Sequence, residues 1–281
     1  MSTPDRQRSA AGLNAAVSRP AEWRETVVAE LRHAVERFTN VARRLGAATP
    51  ISSTPPWLAH DVVAHIAAEV PRYIAGVRGH AEPASDRNAV VAFNEEAIAQ
   101  RRDIAMDVLL DQIHHDAYEL ADEVAGLREK QQDVLFDGGA TVRGDITLAL
   151  LLGELLLHGW DLAREARVPW TFTPQEASLL LDGGVAVMPG WTTPKGRRHS
   201  GTYEVRVRGG TRVRFSFDNG HVRLAGAEER PDVLMSGTPD AIALTSYGRR
   251  SPILFALTGR MLVYGRRPWR GLILPTLVQA P

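Results

Sequence analysis

Apolar residues recur at helical spacings through roughly the first 170 positions and change to a period of two after residue 200. The first periodic run predicts a helix from about Ala21 to Leu45, with Val27, Leu31, Val35, Phe38 and Leu45 at core spacings. Gly46 and Pro50 stop it. The loop Ser52-Ser53-Thr54-Pro55-Pro56 leads into a second helix, about Trp57 to Arg78, which Pro71 should kink or break. Residues 79–88 are polar and turn-rich, and a long third helix is expected over about Val90 to Leu127. Gly138-Gly139 marks a loop, after which Asp145 caps a fourth helix continuing to about Arg167. Four long helices with apolar faces predict a four-helix bundle over residues 21–170, preceded by a disordered arm at 1–20.

Beyond Pro169 the pattern shortens. Thr173 and Pro174 open one more helix as cap and first-turn proline, and residues 171–200 read as that helix followed by a basic linker. Tyr203–Arg208 and Thr211–Phe217 alternate on either side of Gly209-Gly210, the signature of a hairpin. Asp218-Asn219-Gly220 turns into a short strand, His221–Leu224, and Asp232–Ser236 reads as another strand. Helical segments at 239–247 and 252–258 and a strand at Met261–Tyr264 complete a smaller α+β domain over residues 201–281.

Composition narrows the possibilities. The 33 basic and 33 acidic residues balance, so net charge points neither to nucleic acid nor to a membrane as partner. The apolar stretch around Ile146–Leu157 is short for a span and is interrupted by Glu154, and the N-terminus lacks an apolar signal-like core. Cysteine is absent, which fits a cytoplasmic protein without disulfides and leaves only nitrogen and oxygen ligands for any metal. Any thiol chemistry must use a thiol brought by a substrate. Lysine occurs only at Lys130 and Lys195, an arginine bias expected of a GC-rich genome.

The candidate chemistry lies on the fourth helix. Glu154 and His158 are four residues apart and so share one face of an apolar run, while His65 lies on an apolar face of the second helix. Two imidazoles and a carboxylate meeting inside a bundle would form a three-ligand metal site with an open position. A buried carboxylate among leucines costs several kcal/mol unless it is paired or bound to a metal, so an internal ion pair is the alternative. The pair is neither the Glu-x-x-His of di-iron bundles nor the His-Glu-x-x-His of zinc proteases. Zinc is the first choice of ion, with iron, nickel and manganese as alternatives, because two histidines and one carboxylate serve several metals. His114-His115 reads as a solvated face and Arg143-Gly144-Asp145 as a helix-start turn. Arg249-Arg250 and Arg266-Arg267 could hold an anion or simply face solvent.

Two motifs, Trp57-x-x-x-Asp61-x-x-x-His65 and Glu154-Leu155-Leu156-Leu157-His158-Gly159-Trp160-Asp161, together resemble the mycothiol-dependent maleylpyruvate isomerase family. That resemblance implies a DinB-like four-helix bundle with a small sterol-carrier-like C-terminal domain, and His65, Glu154 and His158 as metal ligands. It implies mycothiol, a low-molecular-weight thiol of actinobacteria, as cosubstrate and a small electrophile as its target. Coordination deprotonates a thiol whose ordinary pKa is about 8.5, and the thiolate attacks carbon. Asp161 would orient an imidazole or a thiol proton, or else is an ordinary helix-face carboxylate. S-transfer to the electrophile is the favoured outcome and cis–trans isomerisation the alternative. A non-catalytic, metal-stabilised ligand-binding or regulatory protein is the rival of another class.

Overall fold

The computed structural model describes residues 21–80, 82–127 and 133–279, so the arm expected at 1–20 lies outside the described residues. Helices α1 (Ala21–Ala42), α2 (Ala59–Val77), α3 (Arg87–Gln100) and α4 (Met106–Gly126) are followed by strands β1 (Asp133–Phe136) and β2 (Ala140–Arg143) and by helix α5 (Gly144–Glu165). Helices α1, α2, α4 and α5 pack as a four-helix bundle, and α3 lies against α2. Leu31 and Phe38 of α1, Ile66 of α2, Leu109, Ile113 and Leu120 of α4 and Leu148 of α5 are fully buried in its core. Each such side chain contributes roughly 1.5–3 kcal/mol by leaving water, and these residues sit at the 3.6-residue period that made the helices readable.

Three expectations need correction. The long third helix is two, α3 and α4, separated by a turn in which the Ile104 amide donates to the Arg101 carbonyl at 3.0 Å. The break contains neither glycine nor proline. His60 Nε2 lies 2.8 Å from the Ile104 carbonyl oxygen, so a side chain from another helix satisfies a backbone group that the turn exposes. Pro71 does not break α2, which runs through it from Ala59 to Val77. Packing on α4, α5 and α3 outweighs the one lost amide. Finally, Asp145 is not the cap of α5. Arg143 occupies that position, and the Asp145 carboxylate inside the first turn accepts from Arg143 Nε at 3.0 Å and Nη2 at 2.5 Å.

The chain divides near residue 171 into two compact units, the helical one and one that contains everything from Phe172 onward together with Gly138–Thr141. The second unit opens with α6 (Pro174–Val187), whose Thr173 hydroxyl accepts from the Glu176 amide at 3.0 Å while Glu176 accepts from the Thr173 amide at 2.7 Å. A short helix α7 (Pro194–Arg197) precedes strands β3 (Gly201–Val207), β4 (Arg212–Asp218), β5 (His221–Leu224) and β6 (Val233–Gly237). Helices α8 (Pro239–Ser246) and α9 (Pro252–Leu257), strand β7 (Met261–Tyr264), a 3-10 turn (Pro268–Ile273) and α10 (Leu274–Leu277) complete the unit. The sheet order is β5-β4-β3-β6-β7, with β3 and β6 parallel and the other pairs antiparallel. Tyr203, Phe215 and Phe217 stack in its core, Tyr203 and Phe215 with ring centroids 5.8 Å apart. The protein is thus a helical bundle followed by a smaller α+β domain. Helix α5 is long and apolar enough to span a bilayer but is mostly buried inside the bundle.

Candidate metal centre

The helical unit brings together the three residues singled out in the sequence. His65 Nε2 is 3.6 Å and His158 Nε2 3.4 Å from the same oxygen, Glu154 Oε2. Their donor atoms all lie within 4.8 Å of one another. Tetrahedral zinc with bonds of about 2.1 Å separates its ligand atoms by about 3.4 Å, so two of the donor spacings already suit one ion. Both imidazoles are buried, whereas the Glu154 side chain keeps 29% of its surface exposed, which leaves one side from which a ligand could approach. Burial would raise the Glu154 pKa, but hydrogen bonds from His158 and His65 outweigh it and hold the carboxyl well below its ordinary range. An ionised carboxylate, partly open to solvent and beside two imidazoles, is a donor set that fits a divalent cation.

Local sequence explains how these side chains are aimed. The Ile51 amide donates to the Trp57 carbonyl at 2.9 Å and the Trp57 amide to Thr54 at 2.9 Å, which folds the proline-rich loop against the start of α2. Asp61 then accepts from the Leu58 amide at 2.8 Å. The aspartate of the first motif therefore caps a helix and does not serve as a ligand. The Trp57 ring lies 5.2 Å from the His65 ring and, nearly parallel, 5.9 Å from the His158 ring, making one wall of the centre. Asp161 is fully buried with Oδ2 at 3.2 Å from His158 Nδ1, and so stands behind the imidazole on the side away from Glu154. Gly159 matters for packing: a Cβ there would come within 2.3 Å of the Trp170 ring, over which the Arg37 guanidinium lies 4.2 Å from the centroid.

A family model described as the mycothiol maleylpyruvate isomerase N-terminal domain matches residues 28–163, which include every residue of the centre. The helical unit is thus similar to that domain over most of its length. The crystal structure of the mycothiol-dependent maleylpyruvate isomerase is similar over 83% of this chain and 91% of that chain, with 20% identity and a TM-score of 0.54. A histidine-to-alanine mutant of that isomerase is similar over the same shares at 20% identity, with a TM-score of 0.53. At such identity the likeness is one of fold, a DinB-like bundle with a sheet-containing domain after it. A comparison with curated proteins finds no match.

Sequence reasoning missed the surroundings of the centre. Glu69, one turn beyond His65, is buried, and its burial raises its pKa against the lowering influence of His65 and Arg72. Arg72 Nη1 donates to both Glu69 oxygens at 2.9 and 3.1 Å, and Nη2 to both Asp137 oxygens at 2.8 and 3.0 Å. The Ala84 amide also donates to Asp137 at 2.6 Å, and the Phe93 ring lies under the guanidinium at 4.1 Å. The 65–69 spacing carried a signal for Glu69, since a second polar residue on that face needs a partner. Asp137 carried none. Of the other histidines, His33, His80 and His115 are exposed; His114 pairs with Glu36 at 2.7 Å, and His115 stands near Asp116 and Glu119 of α4.

Proposed function

We propose that this chain is a metal-dependent enzyme that activates mycothiol as a thiolate and transfers its sulfur to a small electrophile. His65, Glu154 and His158 would hold the divalent metal, for which zinc suits the donor set. When bound, the metal supplies Lewis acidity that keeps the thiol sulfur deprotonated near neutral pH. Asp161, with its carboxylate 3.2 Å from His158 Nδ1, would orient that imidazole and leave the Nε2 lone pair to ligate the metal. Trp57 closes one side of the centre and keeps both imidazoles from rotating. The observation that carries this reading is the convergence of three ligand atoms within 4.8 Å in a unit similar to the mycothiol maleylpyruvate isomerase N-terminal domain. A cytoplasmic location goes with it, because a free-thiol cosubstrate needs a reducing compartment.

Cis–trans isomerisation of a maleylpyruvate-type substrate is the second reading, favoured by the named activity of the similar crystal structure. The two outcomes share thiolate attack and differ in whether the sulfur leaves again. Purified protein should contain about one divalent metal per chain by elemental analysis, and His65→Ala and Glu154→Ala should lose it. Incubation with mycothiol and a panel of electrophiles should give metal-dependent thiol adducts by mass spectrometry, whereas turnover of maleylpyruvate without a lasting adduct would assign isomerisation. Unchanged metal content in both variants would sink the proposed centre.

A further inference from the structure

Two buried groups beside the proposed metal centre lack a full set of partners. His65 turns Nε2 toward Glu154, but its other ring nitrogen, Nδ1, is buried and has no hydrogen-bond partner among the described residues. A neutral histidine that ligates a metal through Nε2 carries its proton on Nδ1, which then is a buried donor in need of an acceptor. Glu69 lies four residues on, along the same face of α2, with only 9% of its side-chain surface exposed. His158 has a carboxylate in the matching place, since Asp161, three residues on along α5, stands 3.2 Å from its Nδ1.

The ion pair that Glu69 makes does not offset its burial. Arg72 Nη1 donates to both Glu69 oxygens at 2.9 and 3.1 Å, while Nη2 donates to both Asp137 oxygens at 2.8 and 3.0 Å. One guanidinium is therefore divided between two carboxylates, and the net effect of burial is still to raise the Glu69 pKa. As a charge, His65 acts on this carboxylate more strongly than Arg72 does, although Arg72 is hydrogen-bonded to it. A bridge serving only to tie α2 to the segment after β1 would need Arg72 and Asp137. An uncharged residue at position 69 would avoid desolvating a second carboxylate. Nor is Glu69 one of the clustered donors, because the atoms within 4.8 Å of one another belong to His65, Glu154 and His158.

We infer that Glu69 is the positioning residue of His65: with metal on Nε2, one Glu69 oxygen keeps its hydrogen bond from Arg72 and the other accepts one from Nδ1. This inference rests on the proposed metal-binding role of His65, Glu154 and His158. Its test uses the full-length protein and zinc ion alone, in competition with a chromophoric chelator. Glu69→Gln should still bind one zinc per chain, but about ten- to a hundredfold more weakly. Asp137→Asn, which weakens the other half of the Arg72 bridge, should lower the melting temperature and leave zinc affinity unchanged. Nitrogen NMR of the zinc-loaded native protein should show a His65 Nδ1 proton protected from exchange, and Glu69→Gln should lose that protection. Unchanged zinc affinity in Glu69→Gln, or an unprotected Nδ1 proton in the native protein, would overturn the inference and leave the centre in place. Complete loss of zinc from Glu69→Gln would overturn it by making Glu69 a ligand. Affinity that falls in step with stability in both variants would overturn it by making the whole bridge structural. A native protein that binds no zinc would remove the centre itself, and this role of Glu69 with it.

Discussion

Asp161 carries a sharp test of the proposed metal centre. Its carboxylate is fully buried and 3.2 Å from His158 Nδ1, and a buried carboxylate in that position sets which imidazole nitrogen carries the proton. Asp161→Asn preserves the shape but not the charge. Divalent-metal affinity, measured by competition with a chromophoric chelator, should fall about ten- to a hundredfold. An unchanged affinity would leave Asp161 as a packing residue of α5. The four-residue spacing of Glu154 and His158 made two of the three proposed ligands legible in the sequence, because helix geometry alone puts them on one face. His65 needed the second motif to be found, since nothing local links residues almost ninety positions apart. The packing of Trp57 against both imidazoles is not legible, because it depends on how the loop from Ile51 to Leu58 folds back.

Elements with a strong period were read almost residue for residue. The β3–β4 hairpin around Gly209-Gly210 and strand β7 at Met261–Tyr264 lie where alternation and turn residues put them. The split between α3 and α4 escaped because its cause is tertiary, a carbonyl at Ile104 met by His60. Sheet order escaped for a similar reason, since the parallel β3–β6 pair joins strands that are not neighbours in sequence. Register also brings Glu204 of β3 opposite Arg214 of β4, and the buried carboxylate accepts from Arg214 Nε at 3.0 Å and Arg206 Nη2 at 2.7 Å. Burial would raise the Glu204 pKa, but the hydrogen bonds from Arg214 and Arg206 outweigh it and hold the value below the ordinary carboxylate range. A depressed folded-state pKa gives stability that is complete above the unfolded value near 4.3 and is lost as pH falls through the folded value. Glu204→Gln should therefore destabilise the α+β unit by about 2 kcal/mol at neutral pH, and the gap to the native protein should close in acid. Urea denaturation at a series of pH values measures that gap, and a gap independent of pH would count against the ion pair as its source.

At the scale of the whole molecule, neutral composition conceals an uneven distribution, with six arginines and no aspartate, glutamate or lysine from Ala241 to Gln279. The proposed metal ligands are placed just as unevenly, because His65, Glu154 and His158 all belong to the helical unit. A ligand stabilises the structure whose groups it bridges, by about 4 kcal/mol when free metal exceeds the dissociation constant a thousandfold. Removing metal with a chelator should therefore lower hydrogen-exchange protection in α2 and α5, the two helices that carry the ligands. Strands β3, β4 and β6 should keep theirs, because no donor atom of the centre comes from the sheet. Exchange measured by mass spectrometry on peptides from both units separates these cases in one experiment. Equal loss of protection in helices and strands would mean that metal binding is linked to a single cooperative unfolding of the chain, and no change in either would mean that His65, Glu154 and His158 are held by their own ion pairs alone.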